Sequence, residues 1–346
     1  YKKLVHWELQ LQDTDAAMRE MLDMQKREAN DAFGKFIKKH YLTWMTSSET
    51  RPMMSPDVFK HTVFPALREK EHVYLIVFDN FRYDQWRVVM GDLAEQFDID
   101  EDLYLSILPT ATQYARNAIF SGFMPVDIER MFPDLWVDED SEEGKNLNEA
   151  PLIQTQLERY RRHETFTYNK INDNEQAEKF VAHLPKNADL HVVVVNFIDM
   201  LSHARTEMKM VRELASNEAA YRSITQSWFR HSPLSELFRH LAQMDCKVIV
   251  TTDHGSIRAT NPVKVVGDRN TNTNLRYKLG KNLDYNPKEV FEIKDPRKAG
   301  LPTPNISTAY IFATGQDFLA YPNNYNYYVA YYRDTFQHGG ISMEEM

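Results

Sequence analysis

The stretch CKVIVTTDHGS, residues 246–256, joins an apolar run directly to an Asp-His-Gly sequence. An apolar run of this length, bounded by a turn signal, predicts a buried strand. Side chains at the carboxyl end of such a strand face the crevice in which open α/β sheets bind their ligands. Asp253 and His254 are therefore candidates for a functional site.

The composition predicts one large globular domain with an accessory segment. The chain has 346 residues, of which 42% are hydrophobic and 26% are charged. No segment approaches the roughly 18–20 uncharged apolar residues of a membrane helix, so we expect no membrane insertion. The formal net charge of −9 argues against a protein that coats duplex DNA or anionic membranes. Cys246 is the only cysteine, which favours a reducing compartment, and we expect the cytoplasm.

The pattern of apolar residues changes near residue 70. Residues 1–70 are highly charged, with apolar residues at helical spacing, and predict a small helical bundle or connector. Residues 71–346 alternate apolar runs with amphipathic stretches, which predicts one α/β domain with a doubly wound, mostly parallel sheet. The predicted strands are 73–78, 103–108, 190–197, 247–251, 308–313 and 327–332. The predicted helices between them are 82–97, 174–183 and the region 207–244.

Ligand-type side chains recur at or near the ends of these apolar runs. They are Asp79, Thr110, Thr112, Asp199, His203, Asp253, His254 and His338. Asp199 and His203, at positions i and i+4, would lie about 6 Å apart on one helical face and could hold one ion. Carboxylates with imidazoles suit zinc, with iron or manganese as alternatives. Each residue alone is more often a cap or a core residue, but their recurrence favours a two-metal site.

The order of these motifs resembles the alkaline phosphatase superfamily of two-metal phosphohydrolases. The motifs are a strand ending in Asp79, PTAT at 109–112, DMLSH at 199–203, TDHG at 252–255 and QHGG at 337–340. The chain is most similar to the PglZ-domain branch, and closely resembles the output region of PorX-type response regulators. Ser202 stands where many relatives have a glycine. The Cys/Ser-x-Pro-x-Arg context of the sulfatases does not occur.

The resemblance implies an alkaline phosphatase-like fold and two groups of metal ligands. In that superfamily, one metal is held by an Asp, a His four residues later and a distant His, which here are Asp199, His203 and His338. The other metal is held by an early Asp, the nucleophilic hydroxyl and an Asp-His pair, which here are Asp79, Thr112, Asp253 and His254. Two Zn²⁺ ions are therefore implied, with Mn²⁺ or another divalent metal as the alternative.

The same resemblance implies a threonine nucleophile. Phosphodiesterase relatives with a P-T-x-T pattern use the second threonine, which favours Thr112 over Thr110. A threonine hydroxyl is a weak nucleophile near neutral pH, and a divalent metal lowers its pKa toward the alkoxide. Asn117, one helical turn beyond Thr112, is a candidate donor to a phosphoryl oxygen, and equally a helix-surface amide.

A basic segment after the TDHG motif bears on the substrate. Between Gly255 and Lys281 the chain carries six cations against one acid. If these cations line a groove, they favour a cyclic or linear oligonucleotide over a small sugar phosphate, with Tyr277 available for base stacking. The other reading of such a charge run is a solvated face. The candidate substrate-binding residues are Asn117, Arg258, Arg269 and Tyr277.

The leading hypothesis is a zinc-dependent phosphodiesterase that hydrolyses a nucleotide-type phosphodiester. A phosphomonoesterase or phosphomutase on the same fold is a second hypothesis, and a non-catalytic signalling module with a structural metal site is a third. The resemblance also implies an output domain of two-component signalling, connected with type IX secretion. An upstream receiver domain, a sensor kinase and a homodimer formed through the N-terminal helices are the partners that it implies.

Overall fold

The structure is a computed structural model that describes residues 1–139, 141, 144, 146–201, 208–268 and 270–346. Its helices are α1 (Lys2–Gln10), α2 (Ala16–Thr46), α3 (Phe64–Glu69), α4 (Tyr83–Leu93), α5 (Thr112–Ser121), α6 (Pro125–Met131), α7 (Glu149–Arg159), α8 (Asn174–Ala182), α9 (Lys209–Leu214), α10 (Glu218–His231), α11 (Pro233–Ala242) and α12 (Tyr325–Tyr332). Residues 197–201 are also helical. Short 3₁₀ or π turns cover Ser55–Asp57, Phe59–Val63, Pro133–Leu135 and Pro296–Ala299.

In the described residues, the strands form a four-stranded parallel sheet, called the parallel sheet below, and three smaller sheets. They are β1 (Val73–Phe78), β2 (Phe166–Ile171), β3 (Leu190–Val195), β4 (Lys247–Thr252), β5 (Ile257–Ala259), β6 (Asn261–Lys264), β7 (Tyr277–Gly280), β8 (Phe291–Ile293), β9 (Ala309–Phe312), β10 (Asp317–Ala320) and β11 (Thr335–Gln337). The parallel sheet has the order β2-β3-β1-β4. The small sheets pair β5 with β11, β6 with β10, and β9 with both β7 and β8.

Helices cover both faces of the parallel sheet. Alternate side chains of β1 point to opposite faces, so that Leu75 joins the core that contains α5 and α7, whereas Ile76 joins the core that contains α4, α8 and α11. All six residues of β1, and all six of β3, are buried. Burial of each apolar side chain contributes roughly 1.5–3 kcal/mol, and strands covered on both faces are therefore apolar throughout, apart from His191 of β3. The predicted doubly wound, mostly parallel sheet is confirmed.

The N-terminal helices pack on one side of this domain. Asp15 caps α2 by accepting a hydrogen bond from the Met18 backbone N–H. Ile37, Tyr41 and Trp44 bury the carboxyl half of α2 in the same core as β1. The predicted helical character of this region is confirmed, while the division of the chain at residue 70 stays a prediction. Within the described ranges, no helix has an apolar stretch long enough to cross a membrane.

Two predicted strands are wrong. Residues 103–108 form only an isolated bridge, from Leu105 to Met54, because backbone N–H groups here donate to side chains, as Leu108 does to the Tyr41 hydroxyl. Residues 327–332 lie in α12, although tyrosines favour strands. The ring centroids of Tyr328 and Tyr332 are 4.7 Å apart with the rings tilted at 57°, an i,i+4 contact of a helix.

One strand of the parallel sheet is missing from the sequence-based prediction. Strand β2 has the sequence FTYNKI, and all but its last residue are half-buried. It forms one edge of the sheet, so its outward-facing side chains are polar and it lacks an apolar run.

The C-terminal segment 341–346 returns to the carboxyl end of the parallel sheet. The Gly255 N–H donates to the Glu345 carbonyl at 3.0 Å, and the Ser106 N–H donates to the Met346 carbonyl at 2.8 Å. Glu344 accepts a 2.9 Å hydrogen bond from Asn30 of α2. The segment therefore connects α2 to the TDHG loop.

Candidate metal centre

The parallel register of the sheet brings the predicted ligand residues together. Phe78 pairs with Val195 of β3 and with Thr252 of β4, so these three strands end at the same level. Asp79 directly follows β1, Asp253 directly follows β4, and Asp199 lies in the helical residues 197–201 after β3. All three carboxylates therefore lie at the carboxyl edge of the sheet.

Asp79, Asp253 and His254 form a buried cluster. One potential ligand atom from each of the three residues lies within 4.8 Å of the others. The His254 Nε2 atom is 3.7 Å from the Asp79 Oδ1 atom and 3.8 Å from the Asp253 Oδ1 atom. Two carboxylates and an imidazole thus converge on one small volume.

Thr112 joins this cluster from the first turn of α5. Its Oγ1 hydroxyl donates to the Asp79 Oδ1 atom at 3.1 Å and lies 3.1 Å from the His254 Nε2 atom. The His254 Nδ1 atom is 2.9 Å from the Gly255 carbonyl, a contact that assigns the proton to Nδ1 and leaves Nε2 as an acceptor or ligand.

The cluster has the properties of a cation site. The Asp253 Oδ2 atom is buried without a hydrogen-bond partner, although a buried carboxylate oxygen ordinarily has one. Burial, reinforced by the charge of Asp253, raises the pKa of Asp79 to about 7. Burial also raises the pKa of Asp253 to about 6. A divalent cation would give the Asp253 Oδ2 atom a partner. The carboxylate, imidazole and hydroxyl groups of the cluster are ligands that suit zinc or manganese.

Asp199 and His338 lie beside the cluster. The His338 Nε2 atom is 3.9 Å from the Asp199 Oδ1 atom. The His338 ring stacks on the ring of His254, with centroids 4.3 Å apart and an interplanar angle of 23°. His338 Nδ1 is 3.1 Å from the Thr110 carbonyl. His203, the remaining predicted ligand, lies outside the described residues.

Asn80 links the two groups of candidate ligands and was not predicted from the sequence. Its backbone N–H donates to the Asp253 Oδ1 atom at 3.1 Å, and its side-chain Nδ2 donates to the Asp199 Oδ1 atom at 3.4 Å. The residue is fully buried and adopts a left-handed conformation with φ of 59°. Asparagine tolerates this conformation better than most residues, so an Asp-Asn pair at a strand end was the available signal.

A buried ion pair on α5 and α7 was also missed. Arg116 and Glu149 are 2% and 1% exposed. The Arg116 Nε atom donates to the Glu149 Oε1 atom, and its NH1 atom donates to the Asp79 Oδ2 atom at 3.0 Å. The sequence signal was the position of Arg116, one helical turn after Thr112.

Asn117 and Tyr277 are both buried. Asn117 accepts a hydrogen bond from the Asn146 Nδ2 atom at 3.4 Å, and the same amide is 3.2 Å from the Thr112 carbonyl. Asn117 therefore lies next to the backbone of Thr112. Tyr277 is 3% exposed, and its hydroxyl donates to the Glu139 Oε1 atom at 2.8 Å. Stacking of a base on Tyr277 would require its ring to be uncovered first.

The basic segment does not form one continuous surface. Arg276 is fully buried and pairs through its Nε and NH2 atoms with both oxygens of Glu345. Lys278 is fully buried as well, and burial lowers its pKa to about 7. Arg258 pairs with Asp334 at 3.1 Å and lines a polar cleft beside α1 and α2. Arg269 lies outside the described residues.

Comparisons with known proteins identify the fold and the family. The fold is similar to that of murine ectonucleotide pyrophosphatase/phosphodiesterase 5, with a TM-score of 0.54 and 11% identity over 78% of this chain and 84% of that chain. That likeness shows that the two proteins share a fold. Comparison with curated proteins finds no match.

Matches to family models identify the family of the chain, which the structural likeness does not. Residues 58–346 match the model described as the BREX system PglZ alkaline phosphatase-like domain, and residues 1–45 match the PorX response regulator linker domain. The chain therefore belongs to the PglZ alkaline phosphatase-like family. Its family and fold support a hydrolase of the phosphoesterase type, and the resemblance inferred from the ordered motifs is confirmed.

Proposed function

We propose that the chain is a metal-dependent phosphodiesterase in which Thr112 is the nucleophile. The observation that carries the proposal is the position of the Thr112 Oγ1 atom, 3.1 Å from both the Asp79 Oδ1 atom and the His254 Nε2 atom. A hydroxyl in contact with a buried carboxylate and an imidazole is placed to lose its proton and attack.

Two groups of side chains would hold the metal ions. One group is Asp79, Thr112, Asp253 and His254, and the other is Asp199, His203 and His338. When bound, a pair of divalent cations, zinc by preference and manganese as the alternative, lowers the pKa of the attacking hydroxyl and neutralises charge that develops on the phosphoryl group. The stacked rings of His254 and His338 support the proposal that the two groups adjoin.

The chain's own residues supply the nucleophile and its orientation. The Thr112 oxygen attacks phosphorus, and its proton passes to the Asp79 Oδ1 atom, which accepts from the hydroxyl at 3.1 Å. The bond from phosphorus to the leaving oxygen breaks, and the leaving oxygen takes that electron pair and a proton. Water then attacks the phosphorus of the resulting threonine ester, which still carries the second alcohol group of the substrate. The bond from phosphorus to the Thr112 oxygen breaks, the hydroxyl is restored, and a phosphomonoester leaves. Asn117, beside the Thr112 backbone, is the proposed donor to a phosphoryl oxygen.

A nucleotide-type phosphodiester, cyclic or linear, is the proposed substrate. The name of the murine phosphodiesterase with a similar fold supports this class. Arg258 and Arg269 are proposed to attract its anionic backbone, and Tyr277 to stack on a base once uncovered. Buried Arg276 and Lys278 are excluded from that role, because their charged groups contact protein atoms.

The linker match supports a place in two-component signalling. A receiver domain upstream and a sensor kinase are the proposed partners, and the cytoplasm is the proposed compartment. The proposed homodimer uses α2, on which Met18, Met21 and Phe36 are 40%, 56% and 48% exposed. Apolar side chains exposed on one helix are suited to contact a second copy.

Hydrolysis of matched chromogenic esters tests the proposal. Chelator-stripped protein, with zinc or manganese restored, is assayed with bis(4-nitrophenyl) phosphate and with 4-nitrophenyl phosphate. We expect metal-dependent cleavage that is faster for the diester. Faster cleavage of the monoester would replace the proposal with a phosphomonoesterase or phosphomutase. Cleavage of neither ester by metal-loaded protein would favour a signalling module with a structural metal.

A further inference from the structure

Arg116 and Thr112 approach the same carboxylate from one face of α5. The Thr112 hydroxyl donates to the Oδ1 atom of Asp79 at 3.1 Å, whereas the Arg116 NH1 atom donates to the Oδ2 atom of Asp79 at 3.0 Å. The two residues are at positions i and i+4, which places their side chains side by side on a helix. Each oxygen of Asp79 therefore has its own partner.

Glu149 holds the other side of the guanidinium. Its Oε1 atom accepts from the Arg116 Nε atom, and its Oε2 atom accepts from the Tyr168 hydroxyl. The Lys170 ammonium is 3.5 Å from the same Oε2 atom. Residues from α7 and β2 thus fix the orientation of the Arg116 fork, and a planar guanidinium transmits that orientation to Asp79.

Arg116 also lies close to the second carboxylate of the cluster. Its NH1 atom is 3.7 Å from the Asp253 Oδ2 atom, and its side chain is 2% exposed. Burying an arginine and a glutamate costs several kcal/mol per ion before their attraction offsets it, and apolar residues of similar volume often stabilise a fold as well or better. Packing alone therefore does not explain a charged pair at this position.

We propose that Arg116 is a positioning residue of the metal centre. It holds the Oδ2 atom of Asp79 and thereby directs the Oδ1 atom toward Thr112 and the cation, while Glu149 keeps the guanidinium in place. The inference rests on the proposed function, because it assigns Asp79 to the metal-binding group. Arg116 acts through Asp79 and is not itself a ligand.

Substitution of Arg116 by lysine separates geometry from charge. Arg116→Lys keeps the positive charge but cannot donate to Glu149 and to Asp79 in a fixed fork. We expect zinc affinity, measured by competition with a chromogenic chelator, to fall about 10–100-fold, the usual effect of losing a group that orients a ligand. We expect kcat for the diester at saturating zinc to fall while KM changes little. The absorption spectrum of the cobalt-substituted protein should change as well.

A matched control is Arg222→Lys. Arg222 is also buried, at 3% exposure, and its NH1 atom pairs with Glu8 at 3.0 Å and with Asp84 at 3.2 Å. We expect this variant to lower the unfolding temperature but to leave zinc affinity and the cobalt spectrum unchanged. A loss of zinc affinity in Arg222→Lys equal to that in Arg116→Lys would overturn the inference.

Glu149→Gln is the second test, and it decides the question if Arg116→Lys does not fold. Glutamine keeps the shape but removes the charge that fixes the guanidinium, so a smaller loss of zinc affinity in the same direction is expected. Wild-type zinc affinity in a folded Arg116→Lys or Glu149→Gln protein would overturn the inference. Wild-type protein that binds zinc but hydrolyses neither ester would instead contradict the proposed function. The zinc affinities of the variants would still test whether Arg116 positions the metal centre.

Discussion

The Oγ1 atom of Thr112 lies 3.1 Å from the Nε2 atom of His254, although 142 residues separate them in the chain. Thr112 opens a helix that follows an irregular segment, and His254 lies just after β4, at one edge of the parallel sheet. Only the fold brings a hydroxyl and an imidazole into contact beside two buried carboxylates. The predictions below follow from that arrangement and from the residues that hold it.

The stability of the metal-free protein should depend on pH through Asp79 and Asp253. Burial raises their pKa values to about 7 and about 6, above the roughly 3.9 of an unfolded Asp. Their protonation therefore favours the folded state below about pH 4, and this contribution is lost as pH rises through about 7. We expect the unfolding temperature of the chelator-stripped protein to decrease as the pH is raised from about 5 to about 8. The decrease should be smaller in chelator-stripped Asp79→Asn, which cannot ionise at this position.

Zinc should reverse this pH dependence. A cation requires ionised carboxylates, so protons compete with zinc for Asp79 and Asp253 below about pH 7. We expect zinc to raise the unfolding temperature more at about pH 8 than at about pH 6, as measured by thermal denaturation at equal free zinc. An equal increase at both pH values would show that these carboxylates do not bind the cation.

Replacement of Asn80 should separate its backbone role from its side-chain role. Its φ of 59° suits glycine, so Asn80→Gly keeps the backbone donor to Asp253 but removes the 3.4 Å hydrogen bond to Asp199. We expect a folded protein in which one of two zinc-binding steps weakens, measured by zinc titration. Asn80→Val places a β-branched side chain in a left-handed conformation. We expect its free energy of unfolding to be about 1–3 kcal/mol lower than that of Asn80→Gly. Equal stability of the two variants would contradict this assignment.

Gly255 should not tolerate a side chain. A Cβ atom there would lie 1.9 Å from the Glu344 carbonyl oxygen, so Gly255→Ala must displace either segment 341–346 or the TDHG loop. We expect a loss of about 1–3 kcal/mol in the free energy of unfolding, together with weaker zinc binding. Gly91→Ala is the control, because a Cβ atom there meets no described atom within 4 Å other than its chain neighbours and the adjoining backbone of α4, and alanine favours a helix. Urea denaturation measures the free energy of unfolding of both variants. A Gly255→Ala protein as stable as Gly91→Ala would contradict the close packing of Gly255 against segment 341–346.

Much of the fold could be predicted because its central strands are buried on both faces. The central strands β1 and β3 are mostly apolar, and the edge strand β4 also contains an apolar run, so the predicted strands 73–78, 190–197 and 247–251 overlap them. β2 was missed because its sequence, FTYNKI, alternates polar and apolar side chains and has no apolar run. Segments 103–108 and 327–332 have strand-like composition, but tertiary contacts in the first and i,i+4 ring contacts in the second favour other conformations. Strand propensity depends too much on context to show from the sequence that these two segments are not strands.

The site could be predicted in part because several candidate ligands directly follow strands. Asp79, Thr112, Asp253 and His254 come together as the motif order implied, while their roles stay proposals. Asn80 and Arg116 have only local signals, an Asp-Asn pair at a strand end and a position one helical turn after Thr112, and these do not identify a role. Their importance depends on contacts across the fold, with Asp199 and with Glu149, that no spacing in the sequence reveals.

The central claim is that the Thr112 hydroxyl attacks the phosphodiester. The most direct test compares zinc-loaded Thr112→Ala with Thr110→Val in the hydrolysis of bis(4-nitrophenyl) phosphate, with zinc content measured in both. The Thr110 hydroxyl donates to the Gly340 carbonyl at 2.8 Å and accepts from the Gly339 N–H at 3.0 Å, which gives it a structural role. We expect Thr112→Ala to bind zinc but lose at least about a thousandfold in kcat, and Thr110→Val to keep measurable turnover. Full activity in Thr112→Ala would contradict the account.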